Sequence, residues 1–160
     1  MKLKLELELI PERQWNQSLA QLLPKKVWDW FRRAIYQKSN YTCSVCGDTG
    51  VEVHCHEVWH WDDHKHIQYL HGAQCLCKKC HQIKHWGLTT RLFHLGEITA
   101  IEYNSLIDHF CVVNGCDKGT FEAHYLEMGN LWQKRSKHLY KIDWGKWSPD
   151  QLIKEYGKTH

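Results

Sequence analysis

The sequence predicts an α+β fold in which a small cysteine-rich finger is embedded among several α-helices. Two Cys-x-x-Cys pairs, Cys43/Cys46 and Cys77/Cys80, lie 30 residues apart. Segments rich in β-branched and aromatic residues lie between the pairs, as is typical of strands. Segments with helical periodicity lie on both sides of this finger. These three observations together favour a zinc-stabilised finger within a mixed fold.

The N-terminal region, residues 1–42, is predicted to contain one strand and two helices. Residues 2–10 alternate leucine with charged side chains, which is the period of a strand. Helical patterns cover 12–23 and 25–37, and Pro24 separates them. In the second pattern the apolar residues form one stripe, which is expected to face the core.

The finger itself is predicted to occupy residues 43–90. A strand is expected at 51–59, and 63–71 is compatible with either a helix or a strand. A helix is expected from Lys78 to Trp86, and Gly87 is expected to stop it.

The C-terminal region, residues 91–160, is predicted to be a helical extension. Helices are expected at 99–113 and 119–138, and a last short helix is expected to begin at Ser148. No repeat or low-complexity linker separates the three regions. We therefore expect them to pack as one domain.

The composition favours a cytoplasmic protein. The chain has 160 residues, eight cysteines and a formal charge of +3. No segment approaches the roughly 18 apolar residues of a membrane span, and the first residues lack the apolar run of a signal peptide. In a reducing compartment the cysteines are expected to be metal ligands or small buried residues. A secreted disulfide scaffold is the alternative.

The four paired cysteines predict a closed structural zinc site. Cys43, Cys46, Cys77 and Cys80 supply four thiolates, the ligand set that tetrahedral Zn²⁺ prefers. The separation between the pairs leaves room for a β-hairpin that leads into the helix carrying the second pair. This arrangement describes a treble-clef finger.

The histidines near the second pair predict an open metal site. His81 and His85 are four residues apart and share one face of the expected helix. The strand at 51–59 is expected to deliver one of His54, Cys55 or His56, and strand alternation places Cys55 on the opposite face from the two histidines. Three protein ligands completed by water describe a catalytic rather than a structural site.

The order of these motifs resembles the HNH nuclease family, whose core is the ββα-metal finger. The resemblance is carried by "TCSVCG", "VHCHE" and "LCKKCHQIKH", and it extends over most of residues 28–144 toward small stand-alone bacterial or phage members. It implies an endonuclease with a second divalent ion, Mg²⁺, Mn²⁺, Ni²⁺ or Zn²⁺. In the family's pattern His56 is the general base. Its neighbour Glu57 is expected to orient this imidazole or to contact the ion's outer ligands. The implied ligands of the catalytic ion are Cys55 or His54, together with His81 and His85.

The chain departs from the family's pattern at two positions. Cys55 replaces the usual acid or histidine before the base, which favours Zn²⁺ over Mg²⁺. The asparagine that orients the base is missing near Gly72. Gln74 is the nearest amide, and His71 or Asn114 are possible substitutes.

The charge pattern is compatible with nucleic-acid binding or with ordinary scatter. Residues 43–129 carry a net charge of −5, and each flank carries +4. An acidic centre with basic flanks suits a metal site beside a phosphate-binding surface. The candidate phosphate contacts are Arg32, Arg33, Lys78, Lys79, Lys84, Lys134, Arg135 and Lys137.

The leading hypothesis is an HNH-type endonuclease that hydrolyses DNA phosphodiester bonds, acting on double-stranded DNA as a nickase. The alternative is a catalytically weakened zinc protein that binds DNA or a protein partner. A third possibility is a purely structural zinc finger in which the histidines are incidental.

Overall fold

A computed structural model describes residues 1–159 and has an α+β fold. Its strands are β1 (Val53–Asp62), β2 (Ile67–Cys77) and β3 (Lys141–Asp143). Its helices are α1 (Leu19–Leu22), α2 (Lys25–Lys38), α3 (Lys78–Lys84), α4 (Trp86–His94), α5 (Ala100–Asn114), α6 (Lys118–Arg135) and α7 (Pro149–Tyr156). The strands form one sheet in the order β1-β2-β3.

The β-hairpin β1–β2 is the centre of the fold. Its strands pair antiparallel from Val53 opposite Cys77 to Asp62 opposite Ile67, and β3 pairs parallel with the start of β2. The Asp62 carboxylate accepts hydrogen bonds from the backbone of the turn, which fixes this tight connection. The register shifts once, between Val58 and Trp59. This shift lies beyond His54 and His56, so alternation keeps both histidines on one face.

Two apolar cores pack on opposite sides of the hairpin. One contains residues of the N-terminal segment, α3, α4, α5 and α6, with Ile83, Trp86 and Phe110 fully buried. The other contains residues of α1, α2 and α7, with Phe31 and Leu152 at its centre. The hairpin therefore presents one face to helix α3 and the other to helix α2.

The predicted strand at residues 2–10 is wrong, although its burial pattern is right. Leu5 and Leu7 are fully buried, but the segment has no strand partner. Its backbone is hydrogen-bonded instead by side chains: Asn114 bonds Leu5 in both directions, and His124 accepts from the Leu7 N–H. Side chains of helices thus satisfy backbone groups that a neighbouring strand would otherwise bond.

Two predicted helices are divided in the structure. The pattern at 12–23 forms a short 3-10 turn and the four-residue helix α1, which begins after the capping residue Ser18. The helix expected from Lys78 ends at Lys84, and α4 begins directly afterwards at Trp86. Gly87 lies inside α4 and does not stop a helix. The break falls at His85, whose ψ of 48° is outside the helical range.

The other predicted elements are confirmed to within a few residues. The helix at 25–37 is α2, and the helices at 99–113 and 119–138 are α5 and α6. The last helix begins beside Ser148, whose side chain caps it. The uncertain segment 63–71 is a turn followed by β2. Among the described residues, no helix is long and apolar enough to cross a membrane.

Candidate metal centres

The four cysteines of the two pairs form one compact cluster. Their sulfurs all lie within 4.8 Å of one another, and the Cys46 and Cys77 sulfurs are 3.7 Å apart. A tetrahedral ion with metal–sulfur bonds of about 2.3 Å holds its sulfurs about 3.8 Å apart. The Cys77 sulfur also accepts a hydrogen bond from the Cys80 N–H at the start of α3. The cluster therefore has the dimensions of a four-cysteine zinc site.

Ionisation of the four cysteine thiols also requires a cation in the cluster. Hydrogen bonding from Cys80 lowers the pKa of Cys43 to about 3. Burial raises the pKa of Cys46 to about 12, and hydrogen bonding to Cys43 raises that of Cys80. Thiolates this close repel one another, so the four can ionise together only when a cation lies between them. We conclude that this cluster can bind a metal such as zinc.

A second cluster, of three histidines, lies between strand β1 and helix α3. His56 of β1 faces His81 and His85, and their ligand nitrogens all lie within 4.8 Å of one another. The His56 ring centroid is 5.5 Å from that of His81 and 4.9 Å from that of His85. His85 ends α3, so the break between α3 and α4 positions its side chain toward the strand.

Glu8 fixes the orientation of His56. The Nε2–H of His56 donates to a Glu8 carboxylate oxygen at 3.0 Å, and Lys84 lies 3.3 Å from the other oxygen. Burial opposes ionisation of Glu8, but His56 and Lys84 outweigh this cost and lower its pKa. With Nε2 engaged, Nδ1 of His56 carries the free lone pair, and this atom is buried without a hydrogen-bond partner. A carboxylate that holds an imidazole in this way is the usual outer partner of a metal-binding histidine.

The two helical histidines are neutral, as metal ligands must be. Burial and the neighbouring imidazoles lower the pKa of His81 to about 3 and that of His85 to about 4. His56 is also deeply buried, with 3% of its side chain exposed. His81 and His85 therefore present neutral nitrogens beside the His56 ring, as metal binding requires.

Three residues expected at this site lie beside it or on the other face of β1. The His54 ring stacks on His81 with centroids 4.9 Å apart, and its Nε2 lies 3.3 Å from a Glu52 carboxylate oxygen. Cys55 packs against the α2 core, where burial raises its pKa to about 12. Glu57 lies on the Cys55 face and accepts a hydrogen bond from the Leu19 N–H. Glu57 was expected to contact His56, but in the structure Glu8 makes this contact.

A cavity of about 930 Å³ opens beside the histidine cluster. It extends along the free edge of β1, between the N-terminal segment and α2. His54, His56, His81 and His85 line one end of it. Several tryptophans and the arginines Arg32 and Arg91 line other parts of its wall. The histidine cluster is therefore accessible to a ligand, unlike the cysteine cluster.

The predicted phosphate contacts divide into paired and unpaired side chains. Arg32 bonds Asp29, Lys84 bonds Glu8, and Arg135 bonds Asp63 through two nitrogens. Arg135 also covers the Trp61 ring at 4.7 Å, so it has a structural role. The remaining predicted contacts are exposed on the surface: Arg33, Lys78, Lys79, Lys134 and Lys137.

Two residues near the clusters escaped the sequence analysis. Glu8 is 48 residues from His56, and its place in an alternating segment gave no sign of this contact. His109 of α5 lies with its Nε2 3.3 Å from the Cys80 sulfur.

Asn114, considered as the substitute for the missing asparagine, bonds the N-terminal segment instead. Gln74 lies opposite His56 in the hairpin.

Comparisons with known protein families, with curated proteins and with solved structures found no match to this chain. The chemistry of the two clusters is therefore what indicates a function.

Proposed function

We propose that this chain is a metal-dependent endonuclease of the HNH type, acting on DNA. The observation that carries the proposal is the cluster of three histidines, one of them held by Glu8, that faces a cavity. A divalent ion bound there supplies charge stabilisation for a phosphodiester in the transition state. The cysteine cluster holds structural zinc, and together with the hairpin and α3 it forms the treble-clef finger of this class.

The residue roles differ from those that the resemblance implied. His56 contributes a metal-binding nitrogen, since its other nitrogen is engaged by Glu8. His54 takes the role of general base, because its ring stacks on His81, its Nε2 lies 3.3 Å from a Glu52 carboxylate oxygen that can orient the imidazole, and its side chain lines the cavity. A neutral histidine accepts a proton from water near neutral pH. Lys78 and Lys79, exposed at the start of α3, hold the DNA backbone.

A plasmid-nicking assay with Mg²⁺, Mn²⁺, Ni²⁺ or Zn²⁺ tests this function. We expect His56→Ala and His81→Ala to lose both nicking and the second ion. We expect His54→Ala to keep the ion and to lower the nicking rate by about 10²- to 10⁴-fold, the usual contribution of a general base. His64→Ala, in the exposed turn of the hairpin, is the matched control and is expected to nick normally.

The same assay separates the alternative function. If the wild-type protein leaves supercoiled plasmid intact with every metal, the endonuclease proposal is wrong for this substrate. If the protein then still retards DNA in a gel shift, the binding-module alternative is supported. If neither activity is found, the purely structural zinc finger remains.

A further inference from the structure

The unexplained polar group in the cavity is the carboxyl of Glu57. One oxygen accepts the Leu19 N–H at 3.0 Å, while Oε2 is buried and has no hydrogen-bond partner. A buried acceptor without a partner costs about 1–3 kcal/mol. The side chain lines the cavity. Such a group can accept a hydrogen bond from a ligand that enters the cavity.

The cavity that Glu57 lines also has aromatic side chains in its wall. Trp28 of α2 and Trp59 of β1 line this cavity, and both are only partly buried where they pack against the neighbouring core. Tryptophan faces stack on nucleobases, with about 1–3 kcal/mol per base. The cavity volume of about 930 Å³ is within the range of small-ligand pockets and exceeds the size of one base. The wall therefore suits a flat aromatic ring with N–H groups on one edge.

The acceptor on Glu57 discriminates among the four bases. An ionised carboxyl only accepts hydrogen bonds. Guanine offers two adjacent donors, N1–H and the 2-amino group, on its pairing edge. Adenine and cytosine place an acceptor beside their amino group, and thymine places carbonyls on both sides of its single N–H. Guanine is thus the base whose edge best matches the Glu57 carboxyl.

We infer that Glu57 and the tryptophan-lined cavity form a subsite for one unpaired guanine of the nucleic acid. The inference deepens the proposed function and rests on it, since the strand that supplies the guanine is the one whose phosphate lies at the histidine cluster. His56 and Glu57 are neighbours on opposite faces of β1, and both line the cavity. One strand passing the free edge of β1 therefore reaches both. A base must leave the duplex to enter such a pocket, so single-stranded or distorted DNA is the preferred form.

The test uses the wild-type protein and short thymine-rich single strands that carry one central guanine, adenine, cytosine or thymine. Binding is measured by fluorescence anisotropy without added divalent metal, and cleavage is measured separately with metal. We expect the guanine strand to bind about ten-fold more tightly than the thymine strand, in line with the discrimination of a good base contact. When cleavage occurs, we expect cuts at a fixed distance from the guanine.

Glu57→Gln sharpens the test because its oxygen still accepts the Leu19 N–H while its amide replaces the cavity acceptor with a donor. The guanine preference is expected to fall below about two-fold, with the melting temperature unchanged. Glu97→Gln, on the exposed loop before α5, is the control and keeps the preference. If the wild-type protein binds all four strands equally, or if Glu57→Gln keeps the preference, the subsite is refuted.

The two proposals fail in different ways. Equal cleavage of all four strands refutes the guanine subsite and leaves the endonuclease standing. A Glu57-dependent guanine preference in binding, without cleavage by any metal, supports the subsite and refutes the nuclease activity.

Discussion

The two candidate metal centres share helix α3, but they differ in access and in how their ligands are assembled. The cysteine cluster draws on two local Cys-x-x-Cys pairs and is closed by the core. The histidine cluster combines a strand residue with α3, relies on Glu8 from the N-terminal segment, and faces a cavity. A closed four-thiolate site suits stability, while an open site with three ligands suits chemistry. Adjacent residues, Cys80 and His81, thus belong to clusters of opposite character, one closed and one open.

Loss of the cysteine cluster is expected to have the largest effect. Structural zinc contributes on the order of 10 kcal/mol to the folding of small zinc domains, which is comparable with the whole stability of a typical domain. We expect Cys80→Ser to abolish the cooperative thermal transition measured by circular dichroism. Cys116→Ser, which removes a thiol outside the cluster, is expected to melt within a few degrees of wild type. A Cys80→Ser protein that melts normally would refute a structural role for the cluster.

Removal of Glu8 is expected to affect the histidine cluster alone. Outer partners of metal-binding histidines typically contribute about 10- to 100-fold in metal affinity. We therefore expect Glu8→Gln to weaken binding of the second ion by this factor, as measured by competition with a metal indicator, and to keep the zinc of the cysteine cluster. Glu6→Gln, an exposed neighbour in the same segment, is the matched control. Equal affinities in the two variants would exclude the Glu8–His56 contact from metal binding.

The contrast between the centres also explains what the sequence could predict. The cysteine cluster was predictable because each ligand pair lies within four residues and the separation between the pairs leaves room for a hairpin. The face shared by His54 and His56 followed from strand alternation, and the shared face of His81 and His85 followed from helical spacing. These local rules correctly separated Cys55 from both histidines.

Other parts depended on contacts between distant residues. The leucines of residues 2–10 predicted burial correctly, but their alternation could not reveal that Asn114 and His124 replace a partner strand. The same missing information hid the contact between Glu8 and His56. Gly87 suggested a helix end by propensity alone, whereas packing of Trp86 in the core allows α4 to continue through it.

A smaller effect is expected from His109, which links the cysteine cluster to α5. Its Nε2–H can donate to the Cys80 sulfur over 3.3 Å and so stabilise the thiolate. We expect His109→Ala to release zinc about ten-fold faster to a chelator, with the histidine-bound ion unaffected. His94→Ala, on the exposed end of α4, is the control. Unchanged zinc release would show that this hydrogen bond has no influence on the closed site.

The smallest effect is expected from replacing Arg135. This replacement distinguishes a basic side chain with a structural role from one that binds DNA. Its contacts with Asp63 and Trp61 are partly exposed, so we expect Arg135→Ala to cost about 1 kcal/mol in the free energy of unfolding. The Arg135 hydrogen bond lowers the pKa of Asp63. The stability contributed by this contact is therefore present at pH values above the ordinary pKa of an aspartate, and it is lost as the pH falls through the lowered pKa of Asp63. The unfolding free energies of wild type and Arg135→Ala, measured by denaturant titration, should therefore converge in acid.

Lys137→Ala is expected to behave in the opposite way, because this side chain is exposed in the loop after α6. Its unfolding free energy should stay within about 0.5 kcal/mol of wild type. If Lys137 contacts a DNA phosphate, the slope of log binding constant against log salt concentration should become shallower by about 1 in this variant. The same slope should stay unchanged in Arg135→Ala, since that guanidinium is already engaged by Asp63. A reduced slope in Arg135→Ala would instead make this arginine a direct phosphate contact and extend the DNA surface from α3 to the end of α6.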